Sequence, residues 1–233
     1  MRMARDTLLD FFNDVSGRRG EFLVYDDGFR ARSYTYAETA YASRGFAARL
    51  QSAGVGKGDK IVIWSENRPE WIMALWGCLL NGSIAVPIDY RASQDFLEKV
   101  AGIVDAKLVL LGDDVAFAGL KASTTTHASP PDVVPTFRFA IWRFSDIDWR
   151  GLDPSTFKPV AVAGSETVEI IFTSGATAEP KGVVLTHRNV LANIIPVEKE
   201  VLKYKKYGRP FRPIRFLNLL PLSHMFGQAM ASF

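Results

Sequence analysis

Cysteine is almost absent from this chain. Cys78 stands alone among 233 residues, which excludes an internal disulfide and a cysteine-built zinc site. It lies within Ala74-Leu75-Trp76-Gly77-Cys78-Leu79-Leu80, where an inert buried thiol is expected and a nucleophile is not. Histidine is nearly as scarce: His127, His187 and His224 are scattered and have no metal-ligand spacing. No apolar run reaches the roughly 18 residues that a membrane-spanning helix needs. The N-terminal piece Leu8-Leu9-Asp10-Phe11-Phe12 is too short and too interrupted by charge for a signal peptide, so the cytoplasm is the expected compartment. A strong charge of one sign is missing too. The net charge of +3 does not point to nucleic acid, and it suits an anionic ligand only weakly.

What is present is ordinary for a soluble globular protein: 48% hydrophobic and 23% charged residues, in a chain long enough for a substantial core. Thr35-Tyr36-Ala37-Glu38 reads as a capping box. Ala37, Ala40, Tyr41, Ala47 and Leu50 follow at helical spacing, with Gly54 as the stop. Asn67 with Glu70 opens a second predicted helix that ends near Gly82, Ser93 a third, and Thr186 a fourth with Leu191, Ile194 and Ile195 on its inner face. Between them lie β-rich runs at 60–64, 83–86, 107–111, 168–172 and 215–219. Strands alternating with helices predict an α/β fold, layered α/β/α around a largely parallel sheet. The segment 121–136, with its Ser-Thr-Thr-Thr and Ser-Pro-Pro, reads as a surface excursion. The basic run from Lys203 to Arg215 reads as solvated surface, with an anionic membrane surface or CoA phosphates as the alternative.

The most informative stretch runs from Ile170 to Asn189. An apolar strand enters the loop Thr173-Ser174-Gly175-Ala176-Thr177-Ala178-Glu179-Pro180-Lys181-Gly182, and a second apolar run follows. Hydroxyls, small residues and one lysine suit polyphosphate, because donors and close backbone approach are what its oxygens require. A Walker A loop is excluded: Pro180 stands where its second glycine belongs, Gly182 where its Ser/Thr belongs, and a strand follows where a helix should. A plain turn is the other reading of such a composition.

The length of the pattern favours a family. Thr173 to Val183 resembles the phosphate-binding signature of the adenylate-forming enzymes, T-S-G-T-T-G-x-P-K-G-V, with Ala176 and Ala178 as departures. Tyr34-Thr35-Tyr36-Ala37-Glu38, Gly54 to Ile63, Asn67-Arg68-Pro69-Glu70-Trp71, Gly82 to Arg91 and Leu220-Pro221-Leu222-Ser223-His224-Met225-Phe226-Gly227 are similar to further family segments and come in family order. The last of these, with Asp89-Tyr90-Arg91-Ala92-Ser93, looks most like a long-chain fatty acyl-CoA synthetase.

The resemblance implies that ATP activates a fatty acid as acyl-AMP, which CoA then receives. Mg²⁺ serves as the usual metal of the family, and no metal ligand is assigned in this chain. It implies phosphate-binding roles for Thr173, Ser174, Gly175, Thr177 and Lys181, and a place for His224 near the carboxylate and acyl pocket as a polar-contact residue. By itself, a histidine in so apolar a setting reads as a hydrogen-bonded core residue. The family's adenine, ribose and hinge motifs and its catalytic lysine are not in the chain, and residues 229–233 read as lying within a continuing apolar helix. The expectation is therefore that residues 1–233 are the N-terminal part of an AMP-binding domain, inactive alone. The alternatives are a fatty acyl-AMP ligase that delivers to a carrier protein, and a non-catalytic nucleotide- or acyl-binding module. Ala178 at a glycine position predicts a loop that is mobile when empty.

Overall fold

A computed structural model describes residues 5–118, 139–173, 179–204, 207 and 215–232. The expectations for 121–136, for most of the basic run and for residues 174–178 lie outside these.

The elements in chain order are helix α1 (Leu8–Ser16), a hairpin of β1 (Glu21–Asp26) and β2 (Ala31–Thr35), α2 (Tyr36–Ser52), β3 (Lys60–Ser65), α3 (Pro69–Leu80), β4 (Ile84–Asp89), α4 (Gln94–Ile103), β5 (Ala106–Leu111), β6 (Ala140–Arg143), β7 (Thr167–Thr173), β8 (Lys181–Thr186), α5 (His187–Tyr204) and α6 (Met225–Ser232). The main sheet has the order β6-β5-β3-β4-β7-β8. Its pairs are parallel except β7 with β8.

Period-two alternation assigns each strand residue to one of two cores. Ile61, Ile63, Leu108 and Leu110 join α1, α2, α3 and α5 on one face. Val62, Trp64, Val109 and Leu111 join α4 on the other. Helices thus cover both faces, as parallel strands with helical crossovers require. Every residue of α3 is buried, which explains an apolar stretch without a polar stripe. Cys78 lies there at zero exposure, and burial pushes its thiol pKa up, so it is inert.

Local signals explain most boundaries. Thr35 accepts from the Glu38 N–H while the Glu38 carboxylate accepts from the Thr35 N–H, and the Thr35 bonds hold that carboxyl below its usual pKa. Ser93 caps α4 through the Phe96 N–H, and Thr186 caps α5 through the Asn189 N–H. Thr7 caps α1, so the apolar N-terminal piece is a helix that buries Leu8, Phe11 and Phe12.

Three expectations are corrected. The second helix starts after Arg68, with Pro69 in its first turn, because the Asn67 amide bonds elsewhere. Tyr41 is 51% exposed, and Phe46 occupies the inner face instead. Residues 215–219 form no strand: Asn218 holds them locally, donating to the Gly227 carbonyl and accepting from the Leu220 N–H. The β1–β2 hairpin and β6 were not anticipated. Of the basic run, Lys203 pairs with Glu200 and Arg215 with Glu21.

The α2–α3 contact depends on a missing side chain. A Cβ on Gly77 would lie 2.7 Å from Phe46 Cδ1 and 3.0 Å from the Ser43 carbonyl oxygen. Gly77→Ala is expected to lower unfolding free energy by about 1–3 kcal/mol through overpacking. Gly102→Ala, in open space on the exposed face of α4, is expected to raise it by about 0.5–1 kcal/mol. Urea titration of both variants checks this, and equal effects would contradict the packing argument.

Candidate functional site at the carboxyl edge of the sheet

Because β3, β4, β5 and β7 run parallel, their C-terminal ends open on one edge, where α/β sheets receive ligands. The β7–β8 hairpin is closed there by the Ser/Thr/Gly loop, with Thr173 opposite Lys181 in the ladder. Lys181 is exposed at the start of β8. Thr173 and Lys181 are therefore brought together by backbone pairing. Ser174, Gly175 and Thr177 fall outside the described residues, as does the expectation for Ala178.

The end of β4 supplies the second part. Trp64 Nε1 donates to the Asp89 carbonyl at 3.1 Å and anchors the strand end. The Asp89 carboxylate accepts from the Arg91 guanidinium at 2.9 and 2.7 Å and from its N–H at 3.0 Å. Those bonds from Arg91, helped by the field of His224, hold the Asp89 carboxyl below its usual pKa. His224 Nε2 lies 3.9 Å from Asp89 Oδ2, and its side chain is 59% exposed. Its apolar neighbours in sequence suggested a core residue. The turn instead buries Leu222 and Ser223 and directs His224 outward, to the edge where β4 ends.

That turn is held from the β3–α3 connection. The Asn67 amide donates to the Leu220 carbonyl and accepts from the Leu222 N–H, both at 2.8 Å. Nearby, Arg68 bonds Glu66 at 3.0 Å, Glu70 at 3.0 Å and Asp113 at 2.6 Å, tying the ends of β3 and β5 together. Sequence reasoning missed this network. The close spacing of Glu66, Arg68 and Glu70 was its only local trace, since Asp113 comes from a distant segment.

A family model for AMP-binding enzymes matches residues 12–233. The chain belongs to the AMP-binding enzyme family. Among curated relatives, it is 29% identical over 163 residues to the fatty acid–[acyl-carrier-protein] ligase ScoC of Streptomyces coeruleorubidus, covering 69% of this chain and 30% of that one. It is 28% identical over 190 residues to a crotonobetaine/carnitine–CoA ligase of Escherichia coli, covering 78% and 36% respectively. A solved fatty acid AMP ligase from Legionella pneumophila shares the fold, with TM-score 0.71, 20% identity and coverage of 98% of this chain and 37% of that one. The chain thus spans about a third of the length of these curated relatives.

Among the described residues of this AMP-binding chain, no group of three His, Cys, Asp or Glu side chains could hold a metal ion. No helix among them is long and apolar enough to cross a membrane.

Two further ionisable groups are buried, one on β7 and one at the start of α5. Glu169 on β7 is 2% exposed and accepts from Gln228 Nε2. Burial pushes its pKa up to about 7, and the Gln228 bond opposes this in part. His187 opens α5 at 2% exposure, and its Nδ1 accepts from the Leu8 N–H at 3.1 Å. Burial pushes its pKa down to about 4, which suits an acceptor nitrogen that must be unprotonated.

The two groups act in opposite directions on stability. For Glu169 the folded chain holds the extra proton, so its contribution is full below pH 4.5 and is lost as pH rises to about 7. For His187 the unfolded chain holds the extra proton, so its contribution is full above pH 6.5 and is lost as pH falls to about 4. Glu169→Gln should therefore gain stability relative to wild type as pH rises through the first window. His187→Asn should gain relative to wild type as pH falls through the second. Each slope is limited to about 1.4 kcal/mol per pH unit. Urea titrations at several pH values check this; differences that stay constant with pH would contradict it.

Proposed function

We propose that these residues serve an ATP-dependent acid–thiol ligase, which activates a long-chain fatty acid as acyl-AMP and transfers the acyl group to CoA. The reaction belongs to a polypeptide that carries this chain together with the length its relatives have. The observation that carries the reading is the hairpin in which Thr173 stands opposite Lys181, with the signature loop between them on the carboxyl edge of the sheet.

The chemical obstacle is repulsion between a carboxylate and a triphosphate. The loop answers it with donors for the oxygens that become pyrophosphate as the carboxylate attacks the α-phosphorus. In this reading Thr173, Ser174 and Thr177 supply hydroxyls and N–H groups, Gly175 lets the backbone approach, and Lys181 supplies a full charge. His224, facing Asp89 on the same edge, is a polar contact for the acid's carboxylate and shapes the acyl pocket. The exposed Phe216, Leu217, Leu219 and Phe226 are surface on which further polypeptide would pack. The match to an acyl-carrier-protein ligase supports a second reading, in which the acceptor thiol is that of a carrier protein.

ATP–pyrophosphate exchange with a panel of fatty acids tests the proposal in a polypeptide of the relatives' length. Lys181→Ala and Thr177→Ala should each lower exchange by about 10- to 150-fold, the value of one charge-assisted phosphate bond. The 233-residue chain alone is expected to stay at background. Unchanged exchange in both variants at saturating acid would overturn the role of the loop.

A further inference from the structure

We propose that Glu169, Gln228 and Asn67 are positioning residues that yoke the strand feeding the phosphate loop to the turn carrying His224. The inference rests on the reading that His224 and the 173–182 loop belong to one site, and it names the residues that keep the two parts in register.

Three observations support it. First, the Glu169–Gln228 pair is placed where it costs stability. Both side chains are almost fully buried, and Leu75, Leu79, Val168, Val190 and Met225 line the surrounding space. Leucines there would bury more apolar surface without desolvating a carboxyl. A polar pair in such a setting serves register, since its partners are satisfied only in one arrangement. Second, each member lies on an element that adjoins a functional part. Glu169 is on β7, the strand that ends at Thr173. Gln228 is one turn beyond His224 on α6, where its N–H donates to the His224 carbonyl at 3.1 Å. Third, the turn is fixed from its other end as well. Asn67 uses both sides of its amide on the Leu220 and Leu222 backbone. A Cβ on Gly227 would overlap the Pro221 carbonyl, so α6 is seated directly on the turn. A chain held at Leu220, Leu222 and Gln228 fixes the backbone position from which His224 faces Asp89.

The test uses the 233-residue chain, labelled with ¹³C and ¹⁵N in histidine and observed by NMR without nucleotide or acid. The chain has three histidines, so the His224 ring signals can be assigned with His224→Asn. Asp89→Asn should shift those signals in the wild-type background and in Glu169→Gln, whose amide oxygen still accepts from Gln228. In Gln228→Leu the shift on Asp89→Asn should be lost although far-UV circular dichroism is native. A folded Gln228→Leu variant that keeps the full response would overturn the proposal, as would a folded Glu169→Gln variant that loses it. Should Gln228→Leu fail to fold, the exchanged pair Glu169→Gln with Gln228→Glu decides. This pair keeps one donor and one acceptor. A retained response supports the yoke, and a folded protein without the response overturns it. No ATP is present, so a failure of pyrophosphate exchange would remove the proposed reaction and leave this result standing.

Discussion

The placement of β7 is the constraint on which the site depends. One edge of this strand pairs parallel to β4, and its other edge holds β8 antiparallel. The parallel pairing brings Thr173 to the edge where Asp89 ends β4. The antiparallel pairing returns the chain at Lys181, so the signature loop is stretched between two fixed points. A one-residue slip would turn Ile170 and Phe172 away from the α4 core and Glu169 away from Gln228. Register, apolar burial and the buried hydrogen bond therefore agree on one arrangement, which is what a uniquely specified strand requires.

Signals carried by neighbouring residues were legible in the sequence. The Thr35–Glu38 box, the Ser93 and Thr186 caps and the β-rich runs of the parallel sheet are all spelled within a few residues, and each appears in the structure. What failed was decided by distant partners. Asn67 has the spelling of a helix cap, but its amide is taken by Leu220 and Leu222, more than 150 positions away. The β-rich spelling of 215–219 forms no strand, because Asn218 bonds its own neighbourhood and the α6 backbone. Tyr41 fits helical spacing yet is exposed, since the inner face is set by the close approach of α3 at Gly77.

The site shows the same division. The strand, the loop composition and the apolar run after it were legible, whereas the antiparallel pairing of Thr173 with Lys181 is visible only in the fold. The outward aim of His224 was not legible either, because its turn is held by residues of the β3–α3 connection, β7 and α6. Glu169 stands within an apolar run, and only the fold reveals its partner. Family membership rests on most of the chain, from residue 12 onward, and the likeness to solved structures adds the fold.

The central claim is that the loop between Thr173 and Lys181 receives phosphate at the carboxyl edge. Titration of the ¹⁵N-labelled chain with ATP, followed by backbone amide shifts, tests it most directly. The account predicts saturable shifts concentrated at 173–182 and at Asp89 to Arg91, and their loss in Lys181→Ala. Saturable shifts confined to another surface, or no saturable shift within 173–182, would contradict it.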